Sequence, residues 1–114
     1  MGDRGQVRIA DTNVYLYTHW GASELPEVVA QALSREARWN DPEYLARIIF
    51  ETMLQGSVDG ETGFGIGDER HGDVWRLVDV STATQTVTVH DRYHNQPDAQ
   101  DGPYSFEEFV EAKL

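Results

Sequence analysis

VYLYTHWGASELP, residues 14–26, takes the chain from an alternating pattern into a helical one, and the fold class turns on that change. Val14, Leu16 and Thr18 alternate with Tyr15, Tyr17 and His19, so a strand places an aliphatic set on one side and an aromatic, polar-tipped set on the other. Upstream, Val7 and Ile9 alternate with polar residues and Asp11, Thr12 and Asn13 supply turn chemistry, which predicts a hairpin over residues 6–19. Downstream, Ser23 is placed to cap a helix. Its apolar positions Leu25, Val28, Val29, Ala32 and Leu33 recur at i, i+3, i+4, i+7 and i+8, with Pro26 tolerated in the first turn and an end expected near Arg38. Trp20 and Pro26 read as architectural.

Asp41 followed by Pro42 is a second helix start, and Leu45, Ile48, Ile49, Thr52 and Met53 form its buried stripe until Gly56 closes it. The period then shortens. Asp59 and Gly60 mark a turn, TGFGIG at 62–67 reads as a glycine-interrupted strand, and DERHGD at 68–73 reads as a loop. Residues 74–80 and 86–90 read as strands, and the polar run 91–103 as a loop. Ser105 with Glu108 makes a capping box for a C-terminal helix over 104–114, with Phe106, Phe109 and Val110 as its apolar side. The expectation is one α+β domain spanning residues 1–114, ordered ββααβββα, with helices covering one face of a mostly antiparallel sheet.

Composition limits the chemistry. The 114 residues suit one domain, 39% of them are hydrophobic, and the absence of cysteine removes disulfide frameworks, thiolate metal sites and Cys nucleophiles. No apolar run approaches the roughly 18 to 20 residues of a membrane span and the start is polar, so a cytoplasmic protein is expected. A formal charge of −11 disfavours direct binding to nucleic acid, whose affinity comes from cations neutralising phosphates. Such a surface suits either solubility or a basic partner.

Several residues are candidates for binding. An aromatic face of Tyr15, Tyr17 and His19 suits a planar ligand, and the segment Gly21–Ser23 at a helix start offers N–H groups to an anion; the plainer reading is that these rings fill a small core. Gly63, Gly65 and Gly67 alternate around Phe64 within a strand, so the dinucleotide fingerprint, which needs a strand-to-helix turn, is not met. Alternating glycines clear one strand face for a packed backbone or for a flat ligand. Arg76, inside an apolar strand, needs an anion: Asp79, Glu51 or a phosphate. Arg47 and Glu51 stand one turn apart on the second helix, as a solvated ion pair or as ligand contacts. His90 and His94 flank Asp91 but lie where no helix is credible, and His71 falls in a turn, so no metal site and no cofactor is expected. No nucleophile-elbow, H-E-x-x-H or P-loop pattern occurs, and an enzyme is not expected.

Taken in order, VYLYTHWG, RWNDPEYLARIIFETM and TGFGIG resemble a group of small uncharacterised phage, prophage and bacterial proteins, over roughly residues 13–90. No activity is carried over with that resemblance. It implies a context, that of counter-defence factors in a host cytoplasm, which sequester a nucleotide signal or occupy a host protein surface. The first expectation is therefore a non-enzymatic binder of a small nucleotide-like ligand, using Tyr15, Tyr17, His19, Phe64, Arg47, Glu51 and Arg76. Homo-oligomerisation would deepen a pocket that so small a domain lacks. The alternatives are an acidic inhibitor that occupies a basic nucleic-acid-binding surface through Glu24, Glu27, Asp68 and Glu69, and a small hydrolase or lyase using His19 with a carboxylate.

Overall fold

The structure, a computed structural model, describes residues 3–55, 63–92 and 98–114. Six strands form one sheet in the order β3-β2-β1-β4-β5-β6: β1 Gly5–Ile9, β2 Val14–Thr18, β3 Phe64–Gly67, β4 Arg76–Ser81, β5 Thr86–Asp91 and β6 Ala99–Ser105. Helices α1 Leu25–Leu33, α2 Pro42–Leu54 and α3 Phe106–Lys113 cover one face. Every pairing is antiparallel except β1 with β4, which run parallel. The α+β class and the order ββααβββα are found, with one strand more than expected. No helix among the described residues is long and apolar enough to cross a membrane.

Strand alternation sorts the two faces. Val7 pairs with Leu16 and Val78, and Ile9 with Val14 and Val80; on β5, Val87 and Val89 continue the same face. Against it pack Leu25, Val29 and Leu33 of α1, Leu45, Ile49 and Met53 of α2, and Phe106 and Phe109 of α3. The whole expected stripe of α2 is buried, and the Asp41 carboxylate accepts the N–H of Tyr44 as its cap. Gly5 belongs to a close approach: a Cβ there would stand 2.8 Å from the Ala22 Cβ and 3.1 Å from the Arg76 carbonyl oxygen, so the β1 backbone lies directly against the turn before α1.

Three boundaries differ from the sequence expectation. α1 ends at Leu33 rather than near Arg38, because Glu36 (φ 52°) and Arg38 (φ 62°) take the left-handed conformation, which a helix does not tolerate. Ser23 does not cap α1. A 3-10 turn, Ala22–Glu24, precedes it, and the Ser23 N–H donates instead to the Asp3 carboxylate at 2.9 Å. The polar run expected to be a loop over 91–103 contains most of β6. That strand pairs with β5 through its backbone at the sheet edge, where exposed Gln100 and Asp101 need no apolar partner. A bulge lies opposite Val87 and Val89, and Gly102 (φ 111°) supplies a backbone that a side chain would strain, its Cβ falling 2.8 Å from the Val87 carbonyl oxygen. Gly56, the turn at Asp59 and Gly60, and His94 lie outside the described residues.

The β3-to-β4 connection, residues 68–75, crosses the face without helices. Gln6 points to that face and is 1% exposed; its amide nitrogen donates to the Glu69 carbonyl at 3.2 Å and its oxygen accepts the His71 N–H at 3.0 Å. One buried side chain thus ties the crossover down, both of its polar ends being matched.

Candidate functional site

Tyr15 and Tyr17 stand on the helix-free face, beside Arg8 and Gln6 of β1 on one side and Gly67 and Gly65 of the edge strand β3 on the other. A Cβ at Gly65 would meet only the Tyr17 Cβ, at 3.9 Å, and at Gly67 nothing within 4 Å, so the glycines leave a shallow ledge next to the tyrosines. The Tyr17 hydroxyl lies 3.2 Å from Nδ1 of His19, and its ring centroid 5.0 Å from that of His71. The Tyr17 hydroxyl titrates above its ordinary value, because burial and the nearby Asp73 carboxylate both disfavour the phenolate. Trp20, expected to be architectural, is 63% exposed; it stands edge-on to His19 at 4.3 Å and covers Gly63. His71 is the member that sequence reasoning missed, since it joins the cluster only through the crossover that Gln6 anchors.

The remaining predicted residues lie elsewhere. Phe64 points to the helical side and packs against the core. Arg47 and Glu51 form an exposed ion pair of 2.7 Å on α2, joined by Arg35 at 3.7 Å, on the far side of the sheet from Tyr15 and Tyr17. Glu51 also lines a cavity of about 560 Å³ between the ends of α1 and α2, with Gln31, Arg35 and Gln55. Arg76 takes neither Asp79 nor Glu51 as its anion: Nε and Nη2 donate to the two Asp91 oxygens at 2.8 and 3.0 Å. The anion position at Gly21–Ser23 is filled by the protein's own Asp3, which also accepts the Trp75 indole N–H at 2.8 Å. His90 lies on the helix-free face, and no group of three His, Cys, Asp or Glu among the described residues could hold a metal ion.

All nine cations fall within the described residues, and each is engaged. Arg4 pairs with Asp73, Arg8 with Asp79, Arg70 and Arg92 with Asp98, Arg76 with Asp91, Arg35 and Arg47 with Glu51, and Lys113 with Asp101. Arg38 instead lies over the Tyr44 ring at 4.4 Å. The carboxylates are not matched in return. Among the described residues Glu24, Glu27, Glu36, Glu43, Glu107 and Glu111 have no cation within ion-pair distance and are exposed on the helical layer; Asp68 and Glu69, exposed and likewise without a cation, lie apart from them in the β3-to-β4 connection. Between α1 and α3 this surface holds a groove of about 290 Å³, with Leu33, Trp39 and Val110 as its apolar part and Glu36, Glu107 and Glu111 among its walls.

Three aspartates act as internal ties. Asp11 accepts the Thr82 hydroxyl at 2.5 Å, the Thr82 N–H at 2.6 Å and the Ala83 N–H at 3.3 Å, and these bonds hold its carboxyl below the ordinary value of 3.8. Asp98 is held low by Arg70, against burial, and by Arg92. At Asp3 burial pulls upward most strongly, but hydrogen bonds from Ser23 and Trp75 and the Arg76 charge together carry the carboxyl down. Because the folded values lie below the unfolded one, the unfolded chain binds protons first as pH falls. The stability these groups supply is complete above about pH 5 and drains away below about pH 4. Urea midpoints measured between pH 7 and pH 3 should fall along the acid limb, and Asp11→Asn should make that limb shallower; equal midpoints at the two ends would contradict it.

Compared with family models, with curated proteins and with solved structures, the chain matches none.

Proposed function

We propose that this is a protein-binding module whose acidic helical layer docks on a basic surface of another protein. One observation carries the reading: every cation is already engaged, while those six exposed carboxylates without a cation lie along the helical layer, with Asp68 and Glu69 in the same state outside it. Unpaired like charges on one surface raise the energy of the free protein and lower that of a complex with an oppositely charged partner, and they speed encounter. The occupation of a host protein surface is one of the two roles implied by the resemblance to small phage proteins, and the acidic charge balance makes a basic, nucleic-acid-binding surface the one it suits. The other, capture of a phosphorylated nucleotide, is less well supported, since Arg47 and Arg76 are paired and lie away from the aromatic ledge.

The test is retention of proteins from a cell extract on the immobilised chain at about 50 mM and about 500 mM salt, where screening differs severalfold. Basic proteins should be held at low salt and released both by high salt and by added DNA. Replacing Glu24, Glu27, Glu107 and Glu111 by Gln should release them too. Retention that ignores salt and these substitutions would defeat the proposal. A second reading has its own observation: Gly65 and Gly67 clear the strand face beside Tyr17 and Tyr15, which suits a flat ring without phosphate. Under that reading Tyr17→Ala, and not the Gln replacements, would abolish the binding.

A further inference from the structure

Resting on the acidic-docking reading, we infer that the groove beside Trp39 is the site that selects the partner, and that it takes an arginine-bearing protein segment with an apolar side chain between its cations. The groove joins two kinds of surface. Leu33, Trp39 and Val110 present carbon, while Glu36, Glu107 and Glu111 present charge with no cation to meet it among the described residues. At about 290 Å³ the space is at the lower edge of what a small-molecule site needs, and it is suited to one or two side chains of a bound segment.

The apolar part is set in place before anything binds. The Trp39 indole nitrogen donates to the Leu33 carbonyl at 3.1 Å, and the ring stands edge-on to Phe106 with centroids 5.3 Å apart and planes at 78°. A ring fixed in this way loses little freedom on complex formation. A second hollow, of about 280 Å³, lies along Trp39, Thr84, Gln85 and Ser105, and Glu107 lines both hollows, so an extended segment has a path across the indole.

The charges name the occupant. Glu107 and Glu111 are four residues apart on α3, where like charges oppose each other, and Lys113, the sole cation of that helix, is turned to Asp101 at 3.7 Å. Glu36 adds its charge from the turn that ends α1. A guanidinium suits this place better than an ammonium, because its plane both stacks on an indole and donates two parallel hydrogen bonds to a carboxylate.

The experiment titrates the ¹⁵N-labelled chain with two peptides of equal length and charge, one alternating arginine with leucine and the other arginine with serine. The leucine peptide should bind about tenfold more tightly and shift the Trp39 indole N–H together with Leu33 and Val110. That advantage should vanish in Trp39→Ala and in the Glu107→Lys/Glu111→Lys double variant, whose two exposed positions leave folding intact. Equal binding of both peptides, with shifts spread over α1 and α2, would overturn the groove and leave the acidic-docking reading standing. Binding of neither peptide, even at low salt, would overturn both. An uncharged leucine–serine peptide that binds as well, or a dimer of the chain abolished by Trp39→Ala, would assign the groove to an apolar segment or to a second copy and overturn the inference.

Discussion

Phe106→Ala is expected to destabilise the protein by about 3 to 5 kcal/mol, the range for deleting a buried aromatic ring, and to lower the melting temperature by more than about 10 °C. Phe106 is 1% exposed, and with Phe109 it makes up the buried part of α3. The helix is short, so its capping box at Ser105 and Glu108 fixes where it starts but not that it stays docked. Docking comes from the two rings, and truncating one removes half of the anchor. The loss also reaches the groove, because the Trp39 indole rests edge-on against Phe106. Urea unfolding followed by circular dichroism and by Trp fluorescence would measure the change. A loss under about 1 kcal/mol would mean that α3 contributes little to the core, against the burial observed. Reduced peptide binding in this variant would report the collapse of the groove floor rather than a contact with the partner.

What could be read from the sequence divides by the range of the physics. The α2 stripe, the β1–β2 hairpin and the Ser105 capping box depend on residues within about one or two turns of each other, and the folded chain keeps them as their patterns indicate. The even spacing of Tyr15, Tyr17 and His19 also places them together, which the Tyr17–His19 contact shows. The misread features depend on partners far along the chain. β6 carries no apolar alternation, since an edge strand gains its place through backbone bonds to β5. α1 starts with Ser23 bound to Asp3, twenty residues earlier, so a local cap was the wrong model for that N–H. His71 reaches Tyr17 because Gln6, sixty-five residues away, anchors the crossover. Arg47, Glu51 and Arg76 could not be separated from the aromatic face by spacing alone, because which face of the sheet a helix covers is decided by the connections and not by the helix.

Asp91→Ala is the second large effect, expected at about 2 to 3 kcal/mol: somewhat below the 3 to 5 of a fully buried pair, because these side chains keep some contact with water. The Arg76 and Asp91 side chains are 17% and 20% exposed, and the pair is bidentate. The same guanidinium donates through Nη1 to the Ala22 and Ser23 carbonyls, each at 3.3 Å, and lies over the Trp75 ring at 4.5 Å. It therefore joins β4, β5 and the turn before α1. Deleting Asp91 takes away the carboxylate while the cation stays held in a poorly solvated place. Removing Arg47 or Glu51, whose pair is more than half exposed, should change stability by no more than about 0.5 kcal/mol. A double-mutant cycle with Arg76→Leu measures the coupling of the pair: the double variant should be more stable than Asp91→Ala alone, since the cation that Asp91 balanced leaves with it, although Asp3 loses the Arg76 charge as well. Were Arg76 held for a phosphate ligand instead, the free protein would lose little stability on losing Asp91, and added nucleotide would raise its melting temperature. The geometry predicts the opposite on both counts, a large loss and no rescue, because the guanidinium that would greet the phosphate is already holding two strands and a helix start together.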